Sequence, residues 1–257
     1  MVDTGKGPVI LMIPGIQGRW EWMSPAVTAL SRRCRVISDS LPGDHGSSGS
    51  IDPEKGFQSY VGWIDKLLDK ASVQNVSLCG ISYGGLIALY YAACRSERIQ
   101  SLILASTPAP KWKPSCQVKA YLLAPRVMSP IFALTSPLRL YPEITTTFPN
   151  FFERLSFTVK HLGRVTRHPF APSKMARRVQ LLEGIDFEGA CARVTSPTLV
   201  VTGEAQLDRV VSVDGTKEYV RLVKGANWVC IEKTGHIGLI SRPECFSEVV
   251  STFIANH

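Results

Sequence analysis

Short apolar runs alternate with helical patterns along most of the chain, and this alternation constrains the fold more than any other feature. Residues 9–13, Val-Ile-Leu-Met-Ile, are continuously apolar and end at Pro14-Gly15, as expected of a strand buried on both faces of a sheet. Similar runs recur at Arg35–Ser38, Val76–Cys79, Ser101–Ala105, Thr198–Thr202 and Asn227–Ile231. Between them, apolar residues recur at helical spacing, as in Tyr60, Trp63, Ile64 and Leu67. The pattern predicts an α/β fold with a doubly wound, mostly parallel sheet of about six strands.

The alternation is interrupted between about Pro108 and Pro197. This stretch is rich in proline and has helical patterns but no convincing strand. Because the sheet pattern resumes after it, residues 108–196 are predicted to form a helical cap inserted into a core domain of residues 1–107 and 197–257. The charge agrees with a separate unit: residues 111–180 contain twelve Lys or Arg and two Asp or Glu, whereas the rest of the chain holds 17 basic and 19 acidic residues.

Composition and cysteine spacing exclude several classes of protein. Of the 257 residues, 45% are hydrophobic and 19% charged, which is ordinary for a globular protein and argues against disorder. The longest apolar run, Leu86–Cys94, is too short to cross a bilayer, and residues 1–7 lack the features of a signal peptide. No pair of the seven cysteines has zinc or redox spacing. We therefore expect a cytoplasmic protein with reduced thiols, no metal or organic cofactor and no integral membrane contact.

The strongest chemical signal is the sequence Gly80-Ile81-Ser82-Tyr83-Gly84, which directly follows a predicted strand and precedes a helical pattern. A G-x-S-x-G sequence in this position is typical of a nucleophile elbow. The glycines permit a turn too tight for side chains, and the serine is held in a strained conformation that exposes its hydroxyl. The alternative is a serine in an ordinary strand-to-helix turn. The pattern favours Ser82 as a catalytic nucleophile.

The whole chain resembles the bacterial α/β-hydrolase superfamily, near its esterases, enol-lactonases and carbon–carbon bond hydrolases. Residues 14–18, Pro-Gly-Ile-Gln-Gly, look like the family's oxyanion loop, with Pro14 where the family usually has His. Residues 39–48 resemble the D-x-P-G-x-G-x-S turn that follows the second strand. The resemblance implies the α/β-hydrolase fold and an oxyanion hole formed by the backbone N–H groups of Ile16 and Tyr83.

A serine hydroxyl needs a general base, and the chain has five histidines. His236 follows the last strand pattern at the same sheet edge as Ser82, where the family has its base. The others are terminal, in the cap or in the turn after the second strand: His257, His161, His168 and His45.

The acid that orients the base should follow Thr198–Thr202, where Glu204, Asp208 and Asp214 are candidates. The family often has the acid where this chain has Gln206. Asp208 is nevertheless favoured, because the residues after it keep the family pattern with Ser212 in place of Pro.

In the resembled family, cap residues roof the substrate pocket. The candidate lining residues here are aromatic: Phe132, Tyr141 and Phe148, with Phe151, Phe152 and Phe157 as further candidates. The alternative is that these rings form the core of the cap or its contact with the sheet. Gln17 and Arg19, in and just after the oxyanion loop, are candidate substrate-binding residues. Arg19 either meets a substrate carboxylate or is solvated.

The basic cap has three interpretations. It is a solvated face, it attracts anionic substrates, or it attaches to anionic lipid or nucleic acid. No pattern of interleaved aromatic and basic residues indicates a nucleic-acid partner.

These features predict a serine hydrolase that cleaves small-molecule carboxylic esters through an acyl-enzyme on Ser82. The same triad would also serve for a lactone, a thioester or a carbon–carbon bond in a β-diketone-like acid. Haloalkane dehalogenases and epoxide hydrolases are excluded, because they use a carboxylate nucleophile at the elbow. A non-catalytic binding protein is the alternative from another class, favoured only by the replacements at Pro14, Gln206 and Ser212.

Overall fold

A computed structural model describes the backbone of residues 1–257 and every side chain except those of Gln117, Ser129, Phe132 and Ala133. Its central sheet has seven strands. They are β1 (Val2–Thr4), β2 (Val9–Ile13), β3 (Arg35–Ser38), β4 (Val76–Ile81), β5 (Ile99–Ala105), β6 (Thr198–Thr202) and β7 (Asn227–Cys230). The strands lie in the order β1-β3-β2-β4-β5-β6-β7. Every neighbouring pair is parallel except β1 and β3.

The fold class is confirmed, and all six predicted strands are present within a few residues of the predicted bounds. The seventh strand, β1, was not predicted. It has three residues, two of them exposed, and pairs antiparallel with β3 so that Val2 lies opposite Ser38. A polar segment this short carries no periodicity that could identify it as a strand.

Helices cover both faces of the sheet. They are α1 (Ser24–Leu30), α2 (Ser59–Lys70), α3 (Tyr83–Cys94), α4 (Cys116–Leu123), α5 (Pro125–Thr147), α6 (Phe151–Arg167), α7 (Pro172–Gln180), α8 (Phe187–Arg193), α9 (Val213–Leu222), α10 (Gly238–Ser241) and α11 (Pro243–Ala255). Short 3₁₀ turns lie at Trp20–Met23, Gly56–Gln58 and Ser96–Arg98. No helix in the described part of the chain is both long enough and apolar enough to cross a bilayer.

The side chains of the strands alternate between two hydrophobic cores. On β2, Leu11 and Ile13 belong to the core that also contains buried residues of α2 and α3. Ile10 and Met12 belong to the opposite core, with residues of α1 and α11. This two-sided burial explains why the strands are continuously apolar rather than alternating.

Between β5 and β6 the backbone forms helices α4 to α8, with no strand. Helix α5 is 23 residues long and contains Pro130, Pro137 and Pro142, each of which removes one backbone hydrogen bond from the helix. Helix α5 packs against α4 and α7, and α6 packs against the turn at Trp20–Met23. The division into a core domain and a cap at residues 108 and 196 stays a prediction.

Candidate active site

Ser82 lies between the end of β4 and the start of α3, in a conformation that L-residues rarely adopt, with φ 53° and ψ −120°. Its N–H donates a hydrogen bond to the carbonyl oxygen of Ala105 on β5 at 2.8 Å. Its own carbonyl accepts from the N–H of Gly85, also at 2.8 Å. The strain is therefore held in place by backbone contacts on both sides of the residue.

The two glycines of the motif are required because the backbone segments pack directly on each other. A Cβ at Gly80 would overlap the carbonyl oxygen of Gly84 in the following helix. A Cβ at Gly84 would overlap the carbonyl oxygen of Ile13 at the end of β2. The sharp turn at Ser82 therefore depends on the absence of side chains at these positions.

His236 and Asp208 lie on the loops after β7 and β6, and their side chains meet. Nδ1 of His236 lies 3.3 Å from Oδ2 of Asp208. The other oxygen of Asp208 accepts hydrogen bonds from the N–H groups of Val210 and Val211, both at 2.9 Å. The carboxylate of Asp208 is therefore held on one side by its own loop and directed at the imidazole on the other.

The two side chains shift each other's pKa. Burial alone lowers the pKa of His236, but the carboxylate of Asp208 and the nearby carboxylate of Glu143 raise it by more, so it lies above its usual value. Burial raises the pKa of Asp208, but His236 and the N–H groups of the Asp208 loop lower it by more. Asp208 is therefore ionised at neutral pH and stabilises the imidazolium form of His236.

The other two candidate acids lie elsewhere. Glu204 accepts a hydrogen bond from the N–H of Lys233 at 2.6 Å and contacts the side-chain amide of Gln206. Asp214 is exposed in the first turn of α9. Of the three candidates, within the described residues, Asp208 is the one whose carboxylate contacts His236.

The loop that resembles an oxyanion loop lies beside Ser82. A Cβ placed on Gly15 would be 3.6 Å from the Cβ of Ser82. The loop is closed by a hydrogen bond of 2.9 Å from the N–H of Gly18 to the carbonyl oxygen of Gly15. Tyr83 is the first residue of α3, so its N–H has no carbonyl partner within the helix. Of the two predicted donors, Tyr83 follows Ser82 in the chain, and Ile16 follows Gly15, which lies beside Ser82.

Comparison with known proteins agrees with this fold. The family model of the alpha/beta hydrolase fold matches residues 8–243. The chain belongs to the α/β-hydrolase family. It is 23% identical to a putative carbamate hydrolase RutD of Stutzerimonas stutzeri, over 96% of this chain and 92% of the relative. It is 27% identical to a pimeloyl-[acyl-carrier protein] methyl ester esterase of Nitrosomonas europaea, over 95% and 94%. The crystal structure of an enol-lactonase from Burkholderia xenovorans matches with a TM-score of 0.80 at 20% identity, covering 99% of this chain and 95% of that one.

In this α/β-hydrolase, Arg178 of α7 connects the segment between β5 and β6 to the oxyanion loop. Its Nη1 donates to the carbonyl oxygen of Ile16 at 2.8 Å, and its Nη2 forms an ion pair with Asp44. The side chains of Arg178 and Asp44 are each only 4% exposed. The phenol of Tyr83 donates to the backbone carbonyl of Arg178 at 3.0 Å. Arg178 therefore contacts both residues whose N–H groups are predicted to form the oxyanion hole.

Glu143 of α5 makes a second such connection, to the loop that carries His236. Its side chain is fully buried. The carboxylate accepts hydrogen bonds from the N–H of Ile237, 3.2 and 3.1 Å from its two oxygens, and from the hydroxyl of Ser241 at 3.3 Å. Burial raises the pKa of Glu143, although the N–H groups of Gly235 and Ile237 and the charge of His236 act in the opposite direction. A buried carboxylate thus holds the residue next to the predicted base.

Sequence reasoning missed Arg178 and Glu143. In the sequence, Arg178 is one of many basic residues of its segment, and Glu143 is one of its two acids. Nothing local distinguishes buried Arg178 from its exposed neighbour Arg177. Adjacent residues of a helix lie on different faces, and the packing of α7 decides which of the two points inward.

The predicted substrate-binding residues are dispersed. Arg19 is not solvated: it is buried and forms an ion pair of 2.6 Å with Glu21, and its contact with a substrate stays a prediction. Phe148 stacks on Phe157, with 4.7 Å between ring centroids, and packs against the core beside α1. Tyr141 is 62% exposed on the outside of α5. Gln17 is half-buried in the oxyanion loop. The side chain of Phe132 lies outside the described residues.

Proposed function

We propose that this α/β-hydrolase cleaves carboxylic esters through an acyl-enzyme on Ser82, with Asp208 and His236 completing a catalytic triad. The observation that carries the proposal is the contact between His236 and Asp208, which are 28 residues apart in the chain. They lie on the loops after β7 and β6, at the same end of the parallel sheet at which Ser82 follows β4. That pair supplies what a serine hydroxyl lacks, namely a base held in one tautomer.

The chemistry proceeds in two halves. Nε2 of His236 takes the proton of the Ser82 hydroxyl as Oγ attacks the ester carbonyl carbon. The N–H groups of Ile16 and Tyr83 stabilise the negative oxygen of the tetrahedral intermediate. His236 then gives its proton to the leaving alcohol, and a water molecule, activated in the same way, releases the acid from Ser82.

The relatives support the type of reaction, and the cysteines support the cellular compartment. The methyl ester esterase among the relatives supports ester cleavage, and the enol-lactonase among the solved structures keeps a lactone as the second candidate substrate class. All seven cysteines are free, which supports a reducing compartment and hence the cytoplasm.

The test is hydrolysis of p-nitrophenyl esters from acetate to palmitate, together with labelling by a fluorophosphonate, which reacts with activated serines. We expect wild-type protein to hydrolyse at least one ester and to be labelled, and Ser82→Ala to lose both. Ser72→Ala is the matched control, because Ser72 is also a serine with positive φ (55°) but lies in an exposed turn. Labelling without ester hydrolysis would redirect the search to lactones and carbon–carbon bonds. Absence of labelling would refute the proposal.

A further inference from the structure

Helix α5 exposes an apolar stripe to solvent. Its members recur every three or four residues, so they share one face of the helix: Val127, Ile131, Leu134, Leu138 and Tyr141. Each of these side chains is between 46% and 76% exposed. The opposite face carries Leu140 and Ile144, which pack against the core. Helix α5 is therefore apolar on the side that faces water as well as on the side that faces the protein.

Helix α6 repeats this arrangement. Its exposed apolar residues again follow helical spacing: Phe152, Leu155, Val159 and Leu162, each between 49% and 76% exposed. On the other side of the helix, Phe157 is buried and stacks on the ring of His161. Isolated exposed leucines are common on protein surfaces, whereas two consecutive helices with ordered apolar stripes indicate an interaction surface.

The stripes lie in the most basic part of the chain. Residues 111–180 hold twelve Lys or Arg and two acids, of which Glu143 is buried. Three of the cations pair with acids outside this segment: Lys111 with Glu188, and Lys174 and Arg178 with Asp44. Within the described residues, ion pairs are absent from seven others on α4, α5 and α6: Lys119, Arg126, Arg139, Arg154, Lys160, Arg164 and Arg167.

We propose that α5 and α6 bind the surface of an anionic lipid bilayer, with their apolar stripes among the lipid chains and their free cations at the headgroups. Helices that lie in a membrane interface combine an apolar face with Lys and Arg beside it. A second copy of the chain is the poorer fit, because it would bring the same excess of positive charge to the interface. Nucleic acid would satisfy the cations but would leave the apolar stripes in water.

The test is co-sedimentation of the full chain with two kinds of vesicle. The neutral vesicles are pure phosphatidylcholine, and the anionic vesicles are phosphatidylcholine with about one-third phosphatidylglycerol. We expect wild-type protein to bind the anionic vesicles about 100-fold more tightly than the neutral ones, which corresponds to about three cations at the headgroups that contribute about fivefold each. Raising the salt from about 0.05 M to about 0.3 M should remove most of this preference, because the Debye length falls. This comparison requires no variant.

Two double variants separate the contributions. Leu134→Ser with Leu138→Ser should weaken binding to both kinds of vesicle by about tenfold per leucine, because each loses apolar surface that lipid would cover. Arg126→Gln with Arg139→Gln should weaken binding to anionic vesicles only, by about fivefold per charge. The matched control is Val210→Ser with Trp228→Ser, which removes exposed apolar side chains outside the segment between β5 and β6 and should leave binding to both kinds of vesicle unchanged.

Three outcomes would overturn the proposal. Wild-type protein could stay in solution with both kinds of vesicle, or it could bind both equally. The third is sedimentation equilibrium without lipid that shows a dimer which the leucine variant dissociates; this would assign the stripes to a second copy of the chain. Ser82→Ala should bind vesicles as the wild type does, so the result stands apart from the proposed chemistry.

Discussion

Replacing Arg178 by Met should destabilise the protein by leaving Asp44 as a buried, poorly compensated charge. The two side chains are each 4% exposed, and Met fills a similar volume without the guanidinium. Removing one partner of a buried ion pair typically costs about 3–5 kcal/mol. Lys174 remains 3.5 Å from the other oxygen of Asp44 but is itself 41% exposed, so it offsets only part of the loss. We expect the free energy of unfolding to fall by about 3 kcal/mol.

Urea unfolding followed by circular dichroism measures this loss, and the midpoint should fall by about 1 M. Arg177→Met is the matched control, because Arg177 is the adjacent residue on α7 and is exposed. Its stability should stay within about 0.5 kcal/mol of the wild type. Adding Asp44→Asn to Arg178→Met should recover more than about 1 kcal/mol, since the uncompensated charge is then gone.

The same variant tests the connection to the oxyanion loop. Without Nη1 of Arg178, the carbonyl of Ile16 loses its donor at 2.8 Å and the loop beside Ser82 loses an anchor. A displacement of about 1 Å near reacting atoms can lower kcat/KM by about 100-fold. If Arg178→Met were as stable and as active as Arg177→Met, the reasoning about this buried pair would be wrong.

Three further predictions concern the triad and the elbow. Asp208→Asn should lower kcat for ester hydrolysis by about 10⁴-fold with little change in stability, and a variant with near wild-type kcat would contradict its role. Glu143→Gln removes a negative charge that raises the pKa of His236. The base then stays neutral to lower pH, so the acid limb of the kcat/KM profile, followed by pH-stat titration, should move to lower pH; an unmoved limb would contradict the coupling. Gly84→Ala should lower the unfolding free energy by more than about 3 kcal/mol, because its Cβ overlaps backbone, whereas Gly62→Ala in α2, with open space around it, should raise it by up to about 1 kcal/mol.

The core of the fold could be predicted because its signals are local. Each buried strand is a short apolar run, and the tight turn at Ser82 requires glycines at fixed offsets. His236 and Asp208 were selected from few candidates by their position after predicted strands, and the contact between their side chains is the geometry that this selection requires.

The rest depends on contacts that no local pattern encodes. Arg178 meets a loop 162 residues away, and Glu143 meets one 94 residues away. Arg19 is buried rather than solvated, and its guanidinium lies 3.3 Å from Nδ1 of His168, which is 149 residues away along the chain. Which face of a helix points inward is a tertiary outcome, and Tyr141 lies on the outward face of α5.

The connections made by Arg178 and Glu143 limit how the segment between β5 and β6 of this chain can be exchanged. An inserted segment that touched the sheet domain only through apolar contacts could be exchanged as a module to change the substrate. Here, transplanting α4 to α8 from a relative that lacks these two residues would leave Asp44 without Arg178 and the N–H of Ile237, beside the predicted base, without its acceptor. A working chimaera must therefore have an arginine and a glutamate at these two positions, so the inserted segment cannot be exchanged independently of the loops that carry Ile16 and Ile237.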